Sequence, residues 1–187
     1  MSARFDVDNF VADVLAALDD PSPGPATQAV VQRTLTERTA ILDTIGPKFD
    51  LRTNVLHLSA DATITLSVFP AGVPTGPHNH GMWAVTGTCA GHEGTTIYRR
   101  RSDRIERLIE RRLDPGDSLL LDRDAIHDVV AGGATHLYSI HVYPVSLAST
   151  PHSRWVGNPT AEQPFDAAEE WSRMTAALSV AGLLADA

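Results

Sequence analysis

Between Val55 and Tyr143 the chain alternates apolar and polar residues in short runs rich in β-branched side chains, and this pattern constrains the fold more than any other. Val55–Ser59, Thr63–Phe69, Trp83–Thr88, Thr95–Arg100, Arg104–Arg112, Ser118–Asp122, Asp128–Val130 and His136–Tyr143 read as strands, because a period of two suits a pleated, half-buried surface. Gly, Pro and Asp punctuate them. About eight short strands spaced in this way predict a sandwich or barrel. Helical periodicity flanks the region. Residues 5–19 carry Val7, Phe10, Val11, Val14, Leu15 and Leu18 at helical spacing, and this helix should stop before the proline-rich stretch Pro21–Pro25. A second helix is predicted from Thr27 to Thr44, with Val30, Val31, Leu35 and Ile41 apolar, ending near Gly46-Pro47. After Pro164, a stripe of Trp171, Met174, Leu178, Ala181 and Leu184 predicts a last helix. The expected architecture is mainly β: a helical segment at 1–47, a β-barrel core at 51–147 and a C-terminal helix at 165–185, in one domain spanning 1–187.

Composition narrows the function classes. With 187 residues, 43% hydrophobic and 20% charged, the chain can bury a substantial core. Its net charge of −8 weighs against nucleic acid as a partner. One cysteine, Cys89, excludes an internal disulfide framework and a cysteine-based structural zinc site. No window approaches the ~20 apolar residues of a membrane span, and the N-terminal residues show no leader-like apolar region. The expectation is a cytoplasmic protein that handles a small molecule, with neither membrane nor nucleic acid as partner.

The chemistry concentrates in Gly72-Val-Pro-Thr-Gly-Pro-His78-Asn-His80 and the residues that follow to Gly91. Two histidines one residue apart on a strand point to the same face, so both imidazoles can reach one ion. Imidazole suits iron, zinc, copper and nickel alike. A lone His-x-His also arises among surface histidines. The segment resembles the first motif of the cupin superfamily, in which a glycine, five residues, His-x-His and a later glycine recur; Gly72, His78, His80 and Gly91 stand at those separations. Gly116–His127 is similar to the second cupin motif in length, with Asp122 and Asp124 where the motif usually has proline and glycine. The resemblance implies a double-stranded β-helix barrel and a third ligand, His127, on a strand ending at the mouth that holds His78 and His80.

Most cupins add a glutamate four or five positions after the second histidine. Ala84 and Val85 stand there, so the resemblance implies a site of three histidines. The next acid, Glu93, is expected to face outward as a solvated turn residue. Cupins with three histidines include the thiol dioxygenases, and Ser139-Ile-His141-Val-Tyr143 resembles their Ser-x-His-x-Tyr signature, a hydrogen-bonded relay beside the iron. Residues i, i+2 and i+4 of a strand share a face, and a histidine between two hydroxyls can orient a tyrosine. Arg52 precedes His78 by about the interval at which those enzymes place a substrate-carboxylate arginine; a solvated arginine at a strand start is the other reading. Residues 78–100, with Arg154-Trp155 and Gln163–Asp166, also resemble an uncharacterised bacterial branch.

The resemblance thus implies an Fe(II)-dependent dioxygenase that oxidises a small thiol to a sulfinate. His78, His80 and His127 would hold the metal, Ser139, His141 and Tyr143 would serve catalysis, and Arg52 would bind substrate. Zn, Ni, Mn or Cu remain alternatives to iron, with O2 and a carboxylate-bearing thiol as the expected partners. A metal-dependent lyase, isomerase or hydrolase also fits, as does a non-catalytic sensor, although no helix-turn-helix or basic appendage is evident. Cys89 is expected to be a small buried hydrophobe. The arginine-rich stretch 99–112 is interleaved with Asp103, Glu106 and Glu110 and reads as a solvated face. His57, His92, His136 and His152 carry no partner pattern, and Trp83 is expected in the core or a pocket wall.

Overall fold

The computed structural model describes residues 4–157 and 161–185; the start of the expected helical segment, 1–3, and the chain's last two residues lie outside this range. Helix α1 (Val7–Leu18) opens with Asp6, whose carboxylate caps the Asn9 amide at 3.0 Å. The predicted second helix starts earlier and breaks. Helix α2 (Pro23–Thr34) takes Pro23 into its first turn, where a missing N–H costs nothing. A 3₁₀ turn (Leu35–Glu37) then separates it from α3 (Arg38–Ile45). One turn of helix, α4 (Leu51–Asn54), precedes β1 (Val55–Leu58) and β2 (Thr63–Phe69). The strands β3 (Ala84–Ala90), β4 (Glu93–Arg100), β5 (Ile105–Leu113), β6 (Ser118–Leu121), β7 (Ile126–Ala131) and β8 (Leu137–Tyr143) follow. A hairpin absent from the sequence reading, β9 (Ser153–Val156) with β10 (Ala161–Pro164), precedes α5 (Ala167–Val180). No helix among the described residues is long and apolar enough to cross a membrane.

Strands β1 to β8 form two antiparallel sheets, ordered β1-β2-β8-β3-β6 and β5-β4-β7, and β9 with β10 makes a separate two-stranded sheet. The extended segment 71–78 lies along β7 through Gly72 N–Ala131 O, Thr75 N–Val129 O and His78 N–His127 O bonds, and completes the second sheet. From β2 onward the chain passes repeatedly between the two sheets, which is the winding of a double-stranded β-helix.

Alternation along the strands sorts side chains into two environments. Ile64, Leu66, Val85, Cys89, Ile140 and Val142 face out of the larger sheet and pack on Phe10, Val14, Val31, Leu35 and Ile41 of the N-terminal helices. This is the main apolar core, where each fully buried aliphatic side chain contributes about 1.5–3 kcal/mol. Gly87 lets the helices approach closely: a Cβ there would lie 2.5 Å from Val31 Cγ1. Trp83 packs against the same core, partly buried. The inward faces are different. At one end Val129, Ala131 and Leu137 pack with Phe69 as an apolar plug. Beyond it the lining turns polar, with Thr86 and Thr88 of β3, Glu93 and Thr95 of β4, and Ser139 and His141 of β8 all buried.

Candidate metal centre

Three imidazoles meet at the barrel mouth. The metal-ligating nitrogens of His78, His80 and His127 all lie within 4.8 Å of one another, and the ring centroids are 5.0, 4.5 and 4.8 Å apart. His78 and His80 lie on the extended 71–80 segment rather than in a regular strand, and His127 is the second residue of β7 rather than a strand end. The Asp122–Ala125 turn before β7 replaces the expected proline and glycine and is closed by Ala125 N donating to Asp122 O at 3.0 Å. His78 and His127 exchange both backbone hydrogen bonds, at 2.9 and 2.8 Å, so the two ligand segments are fixed as an antiparallel pair.

The imidazoles suit a cation. His78 Nδ1 bonds the Gly76 carbonyl at 2.9 Å and His127 Nδ1 lies 3.4 Å from the Ala125 carbonyl, which leaves Nε2 of each for an ion. Burial lowers the pKa of all three rings and, for His80 and His127, the neighbouring histidines lower it further, so neutral ligating forms dominate at neutral pH. Ala84, inward and buried, packs on Met82 and Tyr143 where many cupins have a glutamate.

Beside the triad, Tyr143 stacks edge-on to His80 with centroids 5.0 Å apart. Its hydroxyl lies 3.3 Å from His141 Nδ1, and His141 Nε2 lies 2.9 Å from Ser139 Oγ. All three residues are buried on the inner face of β8. Burial pulls the His141 pKa down to about 4 and is the main cause that pushes the Tyr143 phenol upward. Tyr143 therefore stays protonated and His141 neutral.

Arg52 is elsewhere. It lies in α4, largely exposed, and its guanidinium clasps Asp50 at 2.7 Å, which also caps that helix turn. Arg154 is tied to the triad through its backbone, which forms an antiparallel bridge with His78. Paired residues of such a bridge carry their side chains to the same side, which places Arg154 in a row with His78 and His127. One of its terminal nitrogens bonds Glu169 of α5 at 2.6 Å, while its buried Nε has no hydrogen-bond partner. Sequence reading singled out Arg154 only as part of a resemblance, because its approach to His78 depends on the unforeseen β9 strand. His152 was also missed as a neighbour: its ring centroid lies 4.3 Å from that of Phe165, whose centroid in turn lies 5.9 Å from that of His78.

Glu93 corrects another expectation. It is fully buried, not a solvated turn residue. Its carboxylate accepts from Thr86 Oγ1 at 3.1 Å and Thr95 Oγ1 at 2.7 Å. Cys89 is buried as expected. The arginine-rich hairpin is a network of exposed ion pairs, Arg101 and Arg104 with Glu106 at 2.8 and 2.9 Å, and Arg107 with Glu110 at 3.1 Å. His57, His92 and His136 are engaged by Ser59, Asp114 and the Ala71 amide.

No family model matches the chain, and no curated protein matches it in sequence. Solved structures share part of its path. An uncharacterized conserved protein with a double-stranded β-helix domain from Klebsiella pneumoniae is 15% identical over 49% of this chain and 70% of its own, with a TM-score of 0.41. A Bacillus halodurans protein is 14% identical over 59% and 76%, with a TM-score of 0.47. Oxalate oxidase bound to the substrate analogue glycolate is 16% identical with a TM-score of 0.39; the match covers 46% of this chain and 42% of that one. The chemistry of the mouth therefore follows from its own residues: three neutral imidazoles beside a buried serine–histidine–tyrosine chain.

Proposed function

We propose that the protein is a mononuclear three-histidine metalloenzyme, an Fe(II)-dependent dioxygenase that converts a small carboxylate-bearing thiol and O2 to a sulfinic acid. The observation that carries the reading is the Ser139–His141–Tyr143 chain set against a triad of neutral imidazoles. When bound by His78, His80 and His127, the ion supplies Lewis acidity toward the thiol and redox chemistry toward oxygen.

The protein's own part is orientation. With the Ser139 hydroxyl donating to His141 Nε2, the ring carries its proton on Nδ1 and donates it to the Tyr143 oxygen. The phenolic hydrogen is then free to donate toward a substrate at the mouth. Arg154, in a row with His78, is suited to hold a carboxylate by exchanging its bond to Glu169 for one to the substrate. Arg52 is the other candidate for this role; it is largely exposed and paired with Asp50.

Anaerobically purified protein should carry iron and take up one O2 per thiol consumed with cysteine, 3-mercaptopropionate or cysteamine. Turnover under nitrogen without oxygen uptake would instead indicate a lyase or hydrolase and sink the dioxygenase reading. Tyr143→Phe should keep its metal and lose roughly 10²-fold in kcat, the usual scale for one positioned proton donor. Arg154→Ala should raise KM about tenfold for the two carboxylate-bearing thiols and leave cysteamine unaffected; an equal effect on all three would remove Arg154 from carboxylate binding.

A further inference from the structure

Among the described residues Glu93 is the one fully buried carboxyl group, and nothing in the proposed chemistry uses it. It stands at the start of β4, opposite Leu113 of β5 and Ala131 of β7, and reaches across the barrel to Thr86 of β3. Thr86 is in turn paired in register with His141 on β8. The groups bonded to the carboxyl, Thr86 and Thr95, are uncharged, its register partners Leu113 and Ala131 are apolar, and the Tyr143 phenol of β8 lies within electrostatic reach. The adjacent His92 turns outward to Asp114 and Arg112. No cationic side chain pairs with Glu93 among the described residues, and burial pushes its carboxyl upward in pKa.

The triad has the opposite deficit. Three neutral imidazoles bring a divalent cation into a buried site with no ligand charge to offset it. Asp128 and Glu170 act on His78 from outside the barrel, but Asp128 is engaged by the Tyr98 hydroxyl and Glu170 by Arg173. Among the described acids only Glu93 is buried within the polar lining.

We propose that Glu93 supplies the counter-charge the triad lacks: it is a carboxylic acid before a divalent cation binds, and it releases its proton to solvent as the cation enters. The O–H bond of the carboxyl breaks, the electron pair stays on Glu93, and one unit of the incoming charge is cancelled. The Thr86 and Thr95 hydroxyls are already placed to solvate the carboxylate that remains. The inference rests on the metal-centre reading but not on the identity of the substrate. Glu93 is a positioning residue in this account, acting through charge and touching neither ion nor substrate.

Infrared difference spectra of the wild-type protein, recorded near ~pH 6 where exposed carboxyls are ionised, provide a test that needs no variant. A protonated-carboxyl band should be present and should vanish when Fe(II) is added under nitrogen. A band that persists, or one absent from the start, overturns the inference while leaving the metal centre intact; failure to bind Fe(II) overturns both. Glu93→Gln, which keeps the size of the side chain and can still bond both threonines, should lack the band. It should bind Fe(II) roughly tenfold more weakly near neutral pH. That gap should widen as pH rises, because deprotonating the wild-type carboxyl becomes easier, and narrow as pH falls. Equal affinity of the two proteins across the pH range overturns the proposal.

Discussion

His127→Ala is expected to abolish the metal centre while sparing the fold, with affinity for Fe(II) falling more than ~10²-fold. The ring is buried and makes no structural hydrogen bond beyond the long contact with the Ala125 carbonyl. The bonds that hold the two ligand segments together come from its backbone, which alanine retains. His78→Ala should behave in the same way. Elemental analysis of anaerobically purified variants, run beside thermal melts, separates loss of metal from loss of structure. Full metal content in both variants would end the assignment of the triad.

Gly91→Ala is expected to be the most damaging small substitution in the barrel. Gly91 holds φ at 78°, a region that costs an L-residue about 1–2 kcal/mol. The space is also occupied: an added Cβ would lie 2.2 Å from the His136 carbonyl oxygen and 3.0 Å from Leu137 Cα. Those atoms belong to the backbone entering β8, the strand that carries Ser139, His141 and Tyr143, and they cannot yield without disturbing it. Together strain and clash should cost about 3 kcal/mol or more, a fall in Tm of about 6–12 °C for a chain of this size. Gly72 is the comparison. Its φ is 72°, yet nothing lies within 4 Å of its Cβ position, so Gly72→Ala should cost only the backbone strain of about 1–2 kcal/mol. Equal melting temperatures for the two variants would show that the close approach at Gly91 carries no weight.

Both glycines belong to one sequence motif, and spacing alone gave them equal standing. What distinguishes them is the backbone of β8 lying against one and open space beside the other. The same division runs through the site. His78 and His80, and the Ser139–His141–Tyr143 chain, were legible because residue spacing within one strand decides which side chains share a face, whereas His127 was implied only by the resemblance of Gly116–His127 to the second cupin motif. Arg154 was not legible as a neighbour of His78, since β9 reaches the ligand segment only after the barrel has closed, through the Trp155 N–Pro77 O and Asn79 N–Ser153 O bonds. Arg52 shows the converse: of its two readings the exposed arginine matches its pairing with Asp50, two residues away, in a local turn that the strand pattern concealed.

By itself, then, the sequence determined the alternation of strands, the flanking helices and the His78–His80 pair, because these depend on periodicities of two and 3.6 and on short spacings. The tertiary structure decided which face of each strand became apolar core and which became the polar lining. Outward residues of β2, β3 and β8 are covered by α1 to α3, and the inward residues are left to chemistry. Glu93 shows the physical reason most clearly. A glutamate after a glycine turn reads as solvated, because burying an unpaired carboxyl is costly. Only the closing of two sheets around it, with Thr86 delivered from across the barrel, makes its burial tolerable.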